Sequence, residues 1–313
     1  MIIESMAGSF REMERDAEYM FNSTRPYWHL YTDGQSSDMI FSNREDMILG
    51  MNLMAVSCML CPEVDVLTFE LMNNHLHMIY AGQKTAGEKL FHTFKTRLGK
   101  VFSRNGKVVN LKGFECSVIE ITSLQSLRNE IVYVNRNGFV TRPDCTPFTY
   151  PWGAGACFFN DFLNELPAKR LDDLTLRDRR AICHSNYLDF PTENLRVYKG
   201  VILPSSYSKI KKAESFFRNA HHYFQCLTRR FEAYSEIASR LQEKVFITDE
   251  EMYAATCALC LKTYNVKQPG LLSAPDRIAV AKRLKHDYNA SNRQIKNILK
   301  LDKSIVEELF PGY

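Results

Sequence analysis

Apolar residues recur along this chain in two rhythms, and the switches between them divide it into elements. Residues 2–22 put Ile2, Met6, Phe10, Met13 and Met20 near one stripe, which predicts an amphipathic helix ended before Pro26. Tyr27-Trp28-His29-Leu30-Tyr31-Thr32 is rich in aromatics and predicts a strand, turned by Asp33-Gly34. Met39-Ile40-Phe41 is a short extended piece. Ser42 or Asn43 then caps a helix running to about residue 60, where Pro62 stops it, and Glu45 and Asp46 suit its positive end. Residues 64–70 and 75–80 predict two more strands. A second long helix spans 83–104, with Leu90, Phe91, Phe94, Leu98, Val101 and Phe102 at helical spacing. A strand over 114–121 follows, then a helix opened by Ser123 and stopped by Gly138. This order fits an α+β domain built on one antiparallel sheet flanked by helices.

The second half reads differently. Residues 167–173 are polar and predict a linker, and 175–265 are mostly helical in pattern. Phe216, Phe217, Tyr223, Phe224, Leu227 and Phe231 form an aromatic stripe suited to a core, and the adjacent His221 and His222 diverge on a helix. After Pro275, residues 276–286 predict a helix and Asn289-Ala290 a break. Ser291-Asn292-Arg293-Gln294 has capping-box spacing before Ile295, Ile298 and Leu299. Asp302 caps a third short helix with Ile305, Val306, Leu309 and Phe310. Three short helices with tight turns meet the needs of a helix-turn-helix. The expected organisation is a first domain over 25–160, a helical region over 168–270 and a helix-turn-helix-like segment over 275–313.

Composition narrows the class only modestly. A chain of 313 residues, 45% hydrophobic and 24% charged, is ordinary globular protein. Its net charge of +4 does not establish a nucleic-acid partner, so the distribution of charge matters more. Residues 276–303 carry eight basic side chains against three acidic ones, including Arg293, Lys296 and Lys303. On the 83–104 helix, Lys84, Lys89, Lys95, Arg97 and Lys100 cover the face opposite the apolar one. No apolar run has membrane-spanning length, and the N-terminal segment lacks a signal peptide's uninterrupted apolar stretch. The expectation is a cytoplasmic protein with no membrane partner. Nine cysteines then read as reduced thiols, with Cys58/Cys61 and Cys257/Cys260 inside apolar helical patterns and better explained by packing than by zinc.

Candidate chemistry centres on His75 and His77. Residues i and i+2 of a strand leave the same sheet face, so the two imidazoles point together and can share a divalent cation. They are expected to be surface-directed ligands that contribute little packing. On the 124–137 helix, Tyr133 and Asn137 are four residues apart and share a face, offering a phenol and an amide oxygen.

Several ordered stretches together resemble a family. Leu71-Met72-Asn73-Asn74-His75-Leu76-His77, followed by Tyr133-Val134-Asn135-Arg136-Asn137, resembles the single-tyrosine HUH transposases, and within them the REP-associated tyrosine transposases. Trp28-His29-Leu30-Tyr31-Thr32-Asp33-Gly34 resembles that family's first strand and turn. Residues 39–46 resemble the start of its first helix, and Tyr150-Pro151-Trp152-Gly153 its Tyr-Pro-Trp-Ser segment. The match covers roughly residues 25–160. Asn73 and Gly138 stand where the family usually has proline.

The resemblance implies a ferredoxin-like HUH endonuclease domain. In it His75, His77 and Asn137 hold Mg²⁺ or Mn²⁺ and Tyr133 attacks a DNA phosphate, giving a 5′-phosphotyrosine and a free 3′-OH. Two imidazoles also suit Zn²⁺. Single-stranded DNA with hairpin or repeat ends is the implied partner, and a homodimer remains an open option. The basic side chains at 84–100 are the expected backbone-tracking surface. Two other readings stand beside this one: a non-catalytic DNA-binding regulator derived from a transposase, and a cysteine-based zinc module.

Overall fold

The computed structural model describes residues 2–24, 26–34, 39–140, 146, 148–229, 249–288 and 290–310. The chain divides into two compact units, Met1–Arg229 and Arg230–Tyr313.

The first unit opens with α1 (Ile2–Ser23) and β1 (Tyr27–Thr32). Asn43 caps α2 (Arg44–Leu60) by accepting from the Asp46 N–H, and β2 (Asp65–Leu71) and β3 (Leu76–Ala81) follow. Next come α3 (Lys84–Arg104), β4 (Cys116–Ile121) and α4 (Leu124–Val140). The four strands form one antiparallel sheet in the order β2-β3-β1-β4. Each crossover, β1–α2–β2 and β3–α3–β4, therefore skips over one strand. The fold is α+β.

Strand alternation splits this sheet into two unlike faces. Leu30, Leu76, Met78 and Tyr80 are fully buried on one, against α3. There the Tyr80 hydroxyl donates to the Lys84 carbonyl at 3.2 Å, and its ring lies where a Cβ on Gly87 would go. His29, Thr68, Glu70 and His77 are fully buried on the other face, under α4. Arg128 on α4 donates to both Glu14 carboxylate oxygens, at 2.6 and 3.1 Å, and so ties α1 to α4.

Gly138 departs from its expected role. It does not stop α4, which continues to Val140. The glycine is needed because the Tyr150 ring occupies the space of any side chain there, so it marks close packing, not a C-cap. The Tyr150 hydroxyl then donates to the Leu71 carbonyl at 2.9 Å.

Residues 161–229 belong to the same unit and pack on the sheet and on α2. The Lys209 N–H donates to the Val66 carbonyl at 2.7 Å, and the Asn52 side chain bonds Gly200 O and Ile202 N at 2.9 and 2.8 Å. Alongside α5 (Leu176–Cys183), α6 (Ile210–Glu214) and α7 (Ala220–Arg229) lies a small antiparallel sheet of β5 (Lys169–Arg170), β6 (Arg196–Tyr198) and β7 (Val201–Ile202). The helical pattern of this region did not suggest it. Lys199 and Gly200 both take positive φ, 48° and 81°, as a two-residue hairpin turn of the I′ kind requires. Phe216, Phe217, Tyr223 and Leu227 are buried as the stripe predicted, with Tyr223 stacked on Phe158 at 5.3 Å. Phe231 lies outside the described residues.

The second unit holds α8 (Asp249–Tyr264), α9 (Ala274–Asp287), α10 (Asn292–Leu299) and α11 (Lys303–Leu309). Ser273 caps α9, and Ser291 with Gln294 closes the expected capping box on α10. Val280, Ala281, Leu284, Ile295, Leu299 and Val306 form one apolar core with Met252, Leu259 and Cys260 from α8. Lys300, at φ 52°, ends α10 in the left-handed conformation. Ile305 remains 36% exposed, so α11 contributes less core than its sequence suggested.

Among the described residues no helix is long and apolar enough to cross a membrane. Burial raises the thiol pKa of Cys58, Cys61 and Cys260, in keeping with packing.

Candidate active site

The His75 and His77 rings lie 5.3 Å apart, edge to face, at the start of β3. Tyr133 on α4 lies over the same sheet face, its ring 5.7 Å from His77 and 6.1 Å from His29. Asn137 stands one turn further along α4 and is half-buried. The strand pair and the helix pair found from spacing are thus carried on facing elements.

The two histidines differ more than the sequence suggested. His75 is half-buried, but His77 is 0% exposed, which corrects the expectation that both are surface-directed. Cross-strand register explains it: His77 pairs with Tyr31 of β1 and with Glu70 of β2, and α4 packs over β2 and β3.

Three buried residues at the site escaped sequence reasoning. His29 Nε2 is 3.0 Å from His77 Nδ1, and His29 Nδ1 is 2.8 Å from a carboxylate oxygen of Glu130. Glu130 lies one turn before Tyr133 on α4. Glu70 is the third, fully buried, with neither carboxyl oxygen in a hydrogen bond among the described residues. Burial raises its pKa well above the usual 4.5, and the Gly155 backbone N–H, outside hydrogen-bond geometry, offsets only part of that. A Cβ on Gly153 would come within 2.5 Å of the Glu70 carboxyl and of the Phe69 carbonyl oxygen. The Glu70 carboxyl thus fills the space a side chain at position 153 would take. The signals were present: Tyr27, His29 and Tyr31 alternate on one strand face, and Glu130, Tyr133 and Asn137 share one helix face.

Tyr31 belongs to the cluster too, its ring nearly parallel to His77 at 6.4 Å and half-buried, against 5% exposure for Tyr133. The site therefore offers two phenols beside one imidazole.

The basic residues expected to bind DNA are not all brought to this site. Lys84, Lys89, Lys95, Arg97 and Lys100 ride on α3, across the sheet from His77. Three of them are ion-paired: Lys84 with Glu88 at 3.9 Å, Lys89 with Glu63 at 3.0 Å, and Lys95 with Glu115. In the second unit, Arg293, Lys296 and Lys303 line an open cleft of about 400 Å³ between α10 and α11, and Lys303 pairs with Glu307 at 3.5 Å.

The donor set suits a small divalent cation. His75 Nδ1 is 2.8 Å from the Asn74 Oδ1, and His77 Nδ1 is 3.0 Å from His29 Nε2. Asn74 is itself fixed by donating to the Gly34 carbonyl at 2.7 Å. Orientation of a ligating imidazole through its second nitrogen is the usual arrangement in metal sites. Among the described residues there is no cluster of three or more His, Cys, Asp or Glu placed to hold a metal. No protein-family model, curated protein or solved structure matches the chain.

Proposed function

We propose that this protein is a metal-dependent enzyme that cuts and rejoins single-stranded DNA through a covalent tyrosine intermediate. Within that class, its motifs resemble those of the single-tyrosine HUH transposases, nearest the REP-associated branch. The observation that carries the reading is the convergence of Tyr133 and His77, rings 5.7 Å apart, with His75 5.3 Å beyond. The β-α-β-β-α-β order with two strand-skipping crossovers supports a ferredoxin-like domain around it.

In this reading His75, His77 and Asn137 hold Mg²⁺ or Mn²⁺. When bound, such a cation would supply charge neutralisation at the scissile phosphate. Tyr133 supplies the nucleophile. Its phenolic oxygen bonds to phosphorus, the bond to the 3′ oxygen breaks, and the phenol's proton ends on the released 3′-hydroxyl. Attack by another 3′-OH on the phosphotyrosine reverses these bonds and frees Tyr133. A tyrosine is a weak nucleophile at neutral pH, with a free pKa of about 10, so close alignment must supply much of the rate. The helices α9 to α11 supply a helix-turn-helix for target binding, with Arg293, Lys296 and Lys303 as phosphate contacts.

Burial of Tyr133 to 5% exposure favours a second reading, a DNA-binding regulator on an idle transposase fold. One experiment separates them. Hairpin-bearing single-stranded DNA labelled at its 3′ end is incubated with Mn²⁺ and run on a denaturing gel. The parent should form a protein–DNA adduct, and Tyr133→Phe should bind the DNA equally but form none. A parent that binds and never cuts would establish the regulator.

A further inference from the structure

We infer that Glu130 and His29 are positioning residues for the metal site. They act through a buried chain of hydrogen bonds that holds the His77 proton on Nδ1 and turns Nε2 toward a divalent cation. The inference rests on the metal reading above and extends it to residues outside the ligand set and the nucleophile.

The protons along this chain can be counted. A carboxylate only accepts, so the 2.8 Å contact between Glu130 and His29 requires a proton on His29 Nδ1. In the inferred tautomer that is the only proton on His29, and its Nε2 accepts. The 3.0 Å contact to His77 Nδ1 then needs its proton from His77. His77 is left with its lone pair on Nε2, the form that can ligate. Both histidines are 0% exposed and Glu130 1%, so the chain of hydrogen bonds lies away from the protein surface.

Geometry points the same way. Glu130 and Tyr133 lie one turn apart on α4, with the Tyr133 ring 5.7 Å from His77. The helix that carries the nucleophile thus also sets the ligand's tautomer, so any shift of α4 moves both together. A chain kept only for packing would need no such proton order. It would be equally satisfied with His77 protonated at Nε2 and His29 donating from both nitrogens.

The tautomers can be read in the intact, metal-free protein from ¹⁵N chemical shifts of the histidine side chains. Both His29 and His77 should carry their proton on Nδ1. A proton on His77 Nε2, or a doubly protonated His29, overturns the inference without any variant. Mn²⁺ titration by calorimetry is the second measurement. Glu130→Gln and His29→Phe, checked for folding by circular dichroism, should bind Mn²⁺ roughly 10- to 100-fold more weakly than the parent. Parent-like affinity in the folded variants overturns this inference and leaves the metal reading standing. A parent that binds no Mn²⁺ overturns both.

Discussion

The two faces of the four-stranded sheet are made by the same strands and are almost equally buried, yet they are chemically opposite. Toward α3, β1 and β3 present Leu30, Leu76, Met78 and Tyr80, groups that lose little by leaving water. Toward α4 the same strands present His29 and His77, and β2 adds Thr68 and Glu70. Burying such groups costs stability unless each is hydrogen-bonded, and Glu70 is not. One face therefore holds the domain together, while the other gives up part of that stability to keep a polar cluster out of water. In a sheet covered on both sides, function is to be sought on the face whose burial is unfavourable.

The largest effect is expected on the apolar side. Leu76→Ala should lower unfolding free energy by about 2–5 kcal/mol, measured by denaturant titration, while the folded fraction still binds Mn²⁺. On the polar side, His77→Ala strands His29 and should cost about 1–3 kcal/mol while abolishing Mn²⁺ binding. If Leu76→Ala cost no more than His77→Ala, the division of labour between the faces would be wrong.

Glu70 extends the contrast to pH. Its folded-state pKa lies well above 4.5, so the folded protein keeps a proton that the unfolded chain releases. Its stabilising contribution is complete below the unfolded value and is lost as pH rises from there toward the raised folded value. Within that window stability should fall by up to about 1.4 kcal/mol per pH unit, and Glu70→Gln should flatten the decline. An unchanged slope in Glu70→Gln would mean that Glu70 titrates normally.

Smaller effects are expected at the rim and in the second unit. His75→Ala, at a half-buried position, should change stability by less than about 0.5 kcal/mol yet still abolish Mn²⁺ binding in a calorimetric titration. Replacing Arg293, Lys296 and Lys303 by alanine should reduce the slope of log affinity against log salt by roughly 0.9 for every phosphate that is no longer neutralised. The same replacement at the ion-paired Lys84, Lys89 and Lys95 should change it less.

Much of the first unit's framework was legible because its signals are local. Alternation in β1 and β3, the Asn43 cap of α2, and the apolar spacing of α3 each depend on residues within one or two turns. The pairing of His75 with His77, and of Tyr133 with Asn137, was legible for the same reason. What escaped depends on residues far apart in the chain. Glu70 and Tyr31 meet His77 only through strand register, and Glu130 meets His29 across 101 positions. Gly138 reads locally as a helix stop, and only the distant Tyr150 ring shows why the helix continues through it. The β6–β7 hairpin was a local signal of another kind, Lys199-Gly200 between Val197-Tyr198 and Val201-Ile202, outweighed by the helical pattern around it.

The central question is whether the polar face is a reaction centre with Tyr133 as its nucleophile. Mass-spectrometric mapping of the adduct formed with hairpin single-stranded DNA and Mn²⁺ answers that question. A nucleotide should be linked to Tyr133 alone, and none should be found when Mn²⁺ is withheld. A label on Tyr31, the other phenol beside His77, would keep the site but displace the nucleophile to β1. A label on Tyr80, which belongs to the apolar face, would contradict the account outright.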